Sequence, residues 1–141
     1  MSMSSSDPND MVAKAEAALA ALSDQFGAWL NAELYRLDKA RAQLGSDFGN
    51  TQALEALHNC AHDLKGLGTT FAFPTVSRLA ASLCRLLASQ PQDHQASMAL
   101  IDAHIAAIRA LVASDARDDQ IEPATGTILD LEQRVAWETG I

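Results

Sequence analysis

The sequence predicts an all-α fold, an antiparallel up-and-down four-helix bundle with an extra short C-terminal helix. Three observations carry that expectation. Apolar residues recur at alternating spacings of three and four along four long segments. Ala and Leu come in runs that favour helix. Gly and Pro are few, 7 and 4, and aromatics make up only 5% of the chain. With 48% hydrophobic and 20% charged residues over 141 positions, the chain can bury one core.

The first helix is expected over 8–45, with Asp7 as N-cap, Pro8 at the first helical position, and Leu19, Leu22, Phe26, Leu30, Leu37 and Leu44 on one stripe. Gly45 to Asn50 interrupts it. Thr51, with Glu55 close behind, restarts a helix that runs to about Phe71. Pro74 opens the third, to about Ser89, on Val76, Leu79, Ala80, Leu83 and Leu87, and Pro91 ends it. The fourth, about 93–114, carries Met98, Ile101, Ile105, Ile108 and Val112. After a polar, acidic stretch from Asp115 to Pro123, Thr127 is placed to cap a last helix with Ile128, Leu131, Val135 and Trp137 on one face. The domain reading is a disordered N-terminus at 1–8, the bundle at 9–114, and an acidic linker with a loosely docked helix at 115–141.

Composition narrows the function classes. Ten Lys and Arg against eighteen Asp and Glu leave a net charge of −8, which argues against nucleic acid, since such binding neutralises phosphates with a basic patch. The opening residues lack the basic and apolar regions of a signal peptide, and no stretch is expected to reach the ~20 apolar residues of a membrane span. Cys60 and Cys84 form neither a C-x-x-C pair nor a disulfide framework. A cytoplasmic monomer is the expectation. Charge is uneven: residues 51–90 hold three basic and two acidic side chains, whereas 91–141 hold three and nine. The middle pair of helices is where an acidic protein surface meets least repulsion.

On the second helix, Leu54, Leu57, Ala61, Leu64 and Gly68 fall within roughly 80° of arc and mark the buried face. His58, His62, Lys65 and Thr69 share the adjoining flank. Lys65 lies one turn after His62, so its ammonium can approach whatever the imidazole holds. Gly66 stands in the exposed quadrant, where glycine costs about 1 kcal/mol against alanine and close approach of another molecule is the usual compensation. The His58-x-x-x-His62 spacing fits a zinc-binding helix, but Asn59 replaces the Glu that H-E-x-x-H needs; no metal site is expected.

The run Ala61-His62-Asp63-Leu64-Lys65-Gly66, followed by Gly68, Thr70-Phe71, Phe73-Pro74, Leu79-Ala80 and Leu83, resembles the signature of histidine-containing phosphotransfer (HPt) domains. It is similar also to the phosphoacceptor domain of chemotaxis-type histidine kinases. The resemblance implies that His62 is the phosphoryl acceptor and that Lys65 neutralises the phosphoryl oxygens. It implies too that Gly66 leaves room for a response-regulator receiver domain, supplied in a phosphorelay that can include a hybrid histidine kinase. His58, Thr69, Arg78 and Arg85 are candidates for receiver contacts, Arg78 and Arg85 being equally readable as a solvated face. No intrinsic cofactor is implied, because magnesium belongs to the receiver's own site. The chain has no phosphate loop or kinase motif, so it reads as a carrier rather than an ATP-using enzyme.

Two positions depart from the family pattern. Ala72 stands where many members have Gly in the turn after the acceptor helix. Cys84 stands where Glu or Gln commonly holds the imidazole's other nitrogen, and a thiol is a weak partner for that task. Cys60 is expected in the core, Phe71 and Phe73 as plugs of the turn, and His94 and His104 belong to no constellation. An alternative is an interaction module that binds a receiver without carrying phosphate, and a third reading is the acceptor domain of a larger kinase.

Overall fold

A computed structural model describes residues 8–89 and 94–140, without the side chains of Ser23 and His94. The expectations of a disordered start and of a helix stop at Pro91 lie outside the described residues. Five helices make up the structure: α1 (Pro8–Leu44), α2 (Thr51–Thr70), α3 (Pro74–Ala88), α4 (His94–Ala113) and α5 (Ala124–Thr139). No strand occurs among the described residues. The chain divides into two compact units, one through Ala32 and one from Glu33 onward.

In the first unit α1 is long and wet. From Met11 through Leu22 every residue is exposed, including Leu19 and Leu22, which the heptad-like spacing assigns to a buried stripe. Phe26 and Leu30 are buried.

In the second unit α3 is central, packing against α2, α4 and α5, and α4 also packs against α5. Leu57, Leu64, Leu79, Leu83, Ile101 and Ile108 are fully buried there. The closing turns of α1 are tied in by charge, through Arg36 to Asp63 (3.8 Å), Arg41 to Asp102 (2.6 Å) and Asp38 to Arg109. Leu86 rather than Leu87 continues the α3 stripe, three residues after Leu83, and Leu111 rather than Val112 closes that of α4. Gln95–Ala113 is, against expectation, long and apolar enough by length and composition to cross a membrane, but half of it is buried inside the protein.

The C-terminal helix is not loosely docked. It starts at Ala124, and Ala124, Ile128, Leu131 and Val135 are buried, the three larger ones stabilising the unit by about 1.5–3 kcal/mol each. Trp137 lies about 200° round the helix from Val135 and is 85% exposed, so it belongs to the opposite face. Upstream, Thr75 donates to the Ala116 carbonyl (2.7 Å), and Arg117 donates to the Phe71 carbonyl (3.1 Å) while lying over the Phe73 ring. Segment 115–139 thus shares the second unit with α2–α4 and braces the α2–α3 turn.

That turn is a Schellman closure. The Phe73 amide donates to the Gly68 carbonyl (2.7 Å), and Ala72 takes the left-handed position at φ +56°, where glycine is the usual occupant. The left-handed backbone costs a non-glycine residue about 1–2 kcal/mol. Ala72→Gly is therefore expected to raise stability by about 1 kcal/mol, read as a higher urea midpoint at unchanged slope.

His104 is fully buried between α3 and α4. A carbonyl only accepts, so Nδ1–H donates to Leu100 (2.7 Å), and Nε2 accepts from the Ser82 hydroxyl (2.9 Å). Burial, the largest cause, pushes its pKa below the ordinary 6.5 and keeps the folded imidazole neutral. As pH falls, the unfolded chain takes up the proton first. Stability contributed by His104 is thus complete above 6.5 and lost as pH drops through the lower folded value. Urea midpoints should fall from about pH 7.5 to about pH 5.5, and His104→Asn should remove much of that difference.

Candidate functional site

Asn50 caps α2, its side chain accepting from the Ala53 amide (3.1 Å), and Leu57, Ala61, Leu64 and Gly68 turn the inner face of the helix to the core. Gly68 is what permits α3 to come so near. A Cβ there would stand 2.8 Å from the Ser77 nitrogen and 2.9 Å from the Phe73 carbonyl oxygen. The two helices are also latched at this level. Thr69 and Ser77 hydroxyls lie 2.9 Å apart, and each reaches the Lys65 carbonyl, at 3.1 and 3.0 Å, so two protons serve three contacts.

With the inner face fixed, the outer flank carries the candidates. His62 and Lys65 are exposed, and His58 is half-buried. Among the described residues nothing hydrogen-bonds to the His62 imidazole, and the Lys65 ammonium forms no ion pair. Asp63, beside His62, is drawn toward Arg36. Gly66 opens onto free space, with nothing within 4 Å of where its Cβ would be.

On α3 the candidates are Cys84 and Arg85. Burial pushes the Cys84 thiol above its ordinary value, opposed by the Lys65 and Arg85 charges, which places both cations within electrostatic reach of one sulfur. Arg85 is exposed and, among the described residues, unpaired. Cys84 makes no hydrogen bond to His62, so the imidazole is not oriented from that position. The surface combines an exposed imidazole, an unpaired ammonium one turn along the helix and open space above a glycine, chemistry suited to a nucleophile that acquires negative charge.

Two other candidates are committed internally. The Thr69 hydroxyl closes the latch. Arg78 binds Glu132 (2.6 Å) and Asp119 (3.3 Å), joining α3 to the C-terminal segment. Its hydrogen bond to Glu132 raises its pKa, while Gln120 and then Arg78 hold the Asp119 carboxyl below its ordinary range. Sequence reasoning missed Ser77 and Arg117. The signal for Ser77 was Gly68 on a buried face just before a Pro-led helix, since a glycine there announces a close backbone crossing. Arg117 had none, because its partners are 46 and 44 positions away. Among the described residues no three His, Cys, Asp or Glu side chains converge on a common point.

Comparison with known families adds one match. The model of the Hpt domain matches residues 10–114, most of the chain and all of α2, α3 and the candidate flank. No curated protein and no solved structure is matched.

The two glycines should respond oppositely to the same change. Gly66→Ala is expected to stabilise by about 0.5–1 kcal/mol, because it adds helix propensity in open space. Gly68→Ala is expected to destabilise by about 1–3 kcal/mol, because the methyl meets backbone atoms of α3. Chemical denaturation of both variants checks the pair.

Proposed function

The chain belongs to the Hpt domain family, and from that premise we propose that it carries a phosphoryl group on His62 between response-regulator receiver domains of a cytoplasmic two-component phosphorelay. Family members are histidine phosphocarriers that work with receiver domains. The observation that carries the assignment to His62 is its exposure beside the unpaired Lys65 on the flank of α2, over the open space at Gly66. The antiparallel course of the four bundle helices belongs to the same proposal, and the tight turn at 71–73 between α2 and α3 supports it.

The step is a direct displacement. The lone pair of the unprotonated ring nitrogen, taken as the one farther from the backbone, attacks phosphorus of a receiver's aspartyl phosphate. A P–N bond forms as the P–O bond to the aspartate breaks. The carboxylate leaves with the bonding pair, and the proton on the other ring nitrogen stays there. Magnesium and its acidic ligands are the receiver's contribution. Lys65 follows the added negative charge to His62, with Arg85 reinforcing it from α3. A neutral Cys84 leaves the ring free to turn. Contacts from His58 and from the Gly66 face complete the docking surface.

Mixing the chain with a panel of phosphorylated receiver domains and Mg²⁺ tests this reading on phosphate-affinity gels. Wild type should accept phosphate from at least one receiver and His62→Gln from none. Lys65→Ala should slow acceptance on the order of tenfold, equivalent to about 1.4 kcal/mol. Gly66→Arg should block it with the fold intact. Acceptance surviving in His62→Gln sinks the site assignment, and binding without transfer favours the interaction module.

A further inference from the structure

The first unit exposes an apolar seam that the phosphocarrier reading does not use. Met11, Val12, Leu19 and Leu22 are 58, 55, 66 and 50% exposed, and every residue between Met11 and Leu22 faces solvent. Val12, Ala15, Leu19 and Leu22 recur at three, four and three, and Phe26 follows at four. This is the heptad-like spacing of a helix that packs along a second helix, the spacing that α4 buries within the second unit and that α1 leaves in solvent from Val12 to Leu22. We propose that this half of α1 pairs with the same segment of a second copy, making the protein a homodimer instead of the monomer expected from its sequence.

Area, charge and propensity each favour a second copy as the occupant. The four large side chains leave roughly 400 Å² of apolar surface in water, as much as the largest patch of a typical monomer. Two such faces total about 800 Å², below the ~1,200 Å² of stable specific interfaces and suited to a weak dimer that dissociates on dilution. Charge is arranged for self-pairing. Asp10, Lys14 and Asp24 fall on the side away from the seam, where Lys14 bonds Asp10 (3.4 Å). The positions flanking the seam are Met11, Glu16, Ala18 and Gln25, which bring no like charges together between parallel copies. A bilayer is a poorer match, because helices that lie on membranes present Lys and Arg on the polar face, and here one Lys, Lys14, stands against Asp10, Glu16 and Asp24. The run Ala13 to Leu22 is rich in strong helix formers, so the segment is ordered for pairing at low entropic cost.

Sedimentation equilibrium of the full chain tests the proposal. Wild type should approach twice 15.0 kDa at about 100 μM and dissociate on dilution. Leu19→Glu/Leu22→Glu should remain at the monomer mass, its dissociation constant raised on the order of a hundredfold or more. Ala17→Glu/Ala20→Glu adds the same charge on the outer face and should dimerise as wild type does, circular dichroism confirming that both variants keep their helix. A wild-type monomer at every concentration overturns the proposal, whether or not the protein sediments with lipid vesicles. So does a seam variant that still dimerises, or an outer-face variant that dissociates as readily.

Discussion

The missing side chain at Gly68 sets the distance between α2 and α3, and most of the second unit depends on that distance. Because the Ser77 nitrogen and the Phe73 carbonyl come within about a methyl's reach of the Gly68 backbone, the hydroxyls of Thr69 and Ser77 can both engage the Lys65 carbonyl. The same closeness lets the Phe73 amide cap α2, which in turn forces Ala72 into a left-handed conformation. A helix held this firmly on one face keeps its opposite flank rigid in solvent. An imidazole there needs no pocket: the backbone fixes its position and leaves the ring open to a partner.

The C-terminal segment serves the same junction. Arg117 caps the Phe71 carbonyl and lies over the Phe73 ring, and Arg78 draws Asp119 and Glu132 onto α3. These contacts hold the turn that follows α2 and the helix that follows it. They also sort the cations of the middle helices by task. Arg78 is spent on structure, while Lys65 and Arg85 stay free among the described residues, both within electrostatic reach of Cys84.

Helices were legible because their signals are local: Pro8 and Pro74 at starts, Gly45 at a stop, and stripes at threes and fours. The outer flank of α2 was legible for the same reason, as four residues one turn apart. What sequence reasoning could not supply was tertiary. Trp137 obeys no stripe once the burial of Val135 sets the helix's phase, and Leu19 fits a stripe yet stands in solvent. His104 looked isolated because its Ser82 partner lies 22 positions away. Cys84 stands within electrostatic reach of Lys65, but whether a thiol holds an imidazole is a matter of distance and angle that spacing cannot encode.

The most direct test of the account is the position of the phosphoryl group. The chain, phosphorylated by a partner receiver and digested under mildly alkaline conditions that preserve phosphohistidine, can be read by tandem mass spectrometry. The account predicts a phosphoramidate on His62 alone. A group on His58 or His94, or on a carboxylate, with His62 unmodified, would contradict it.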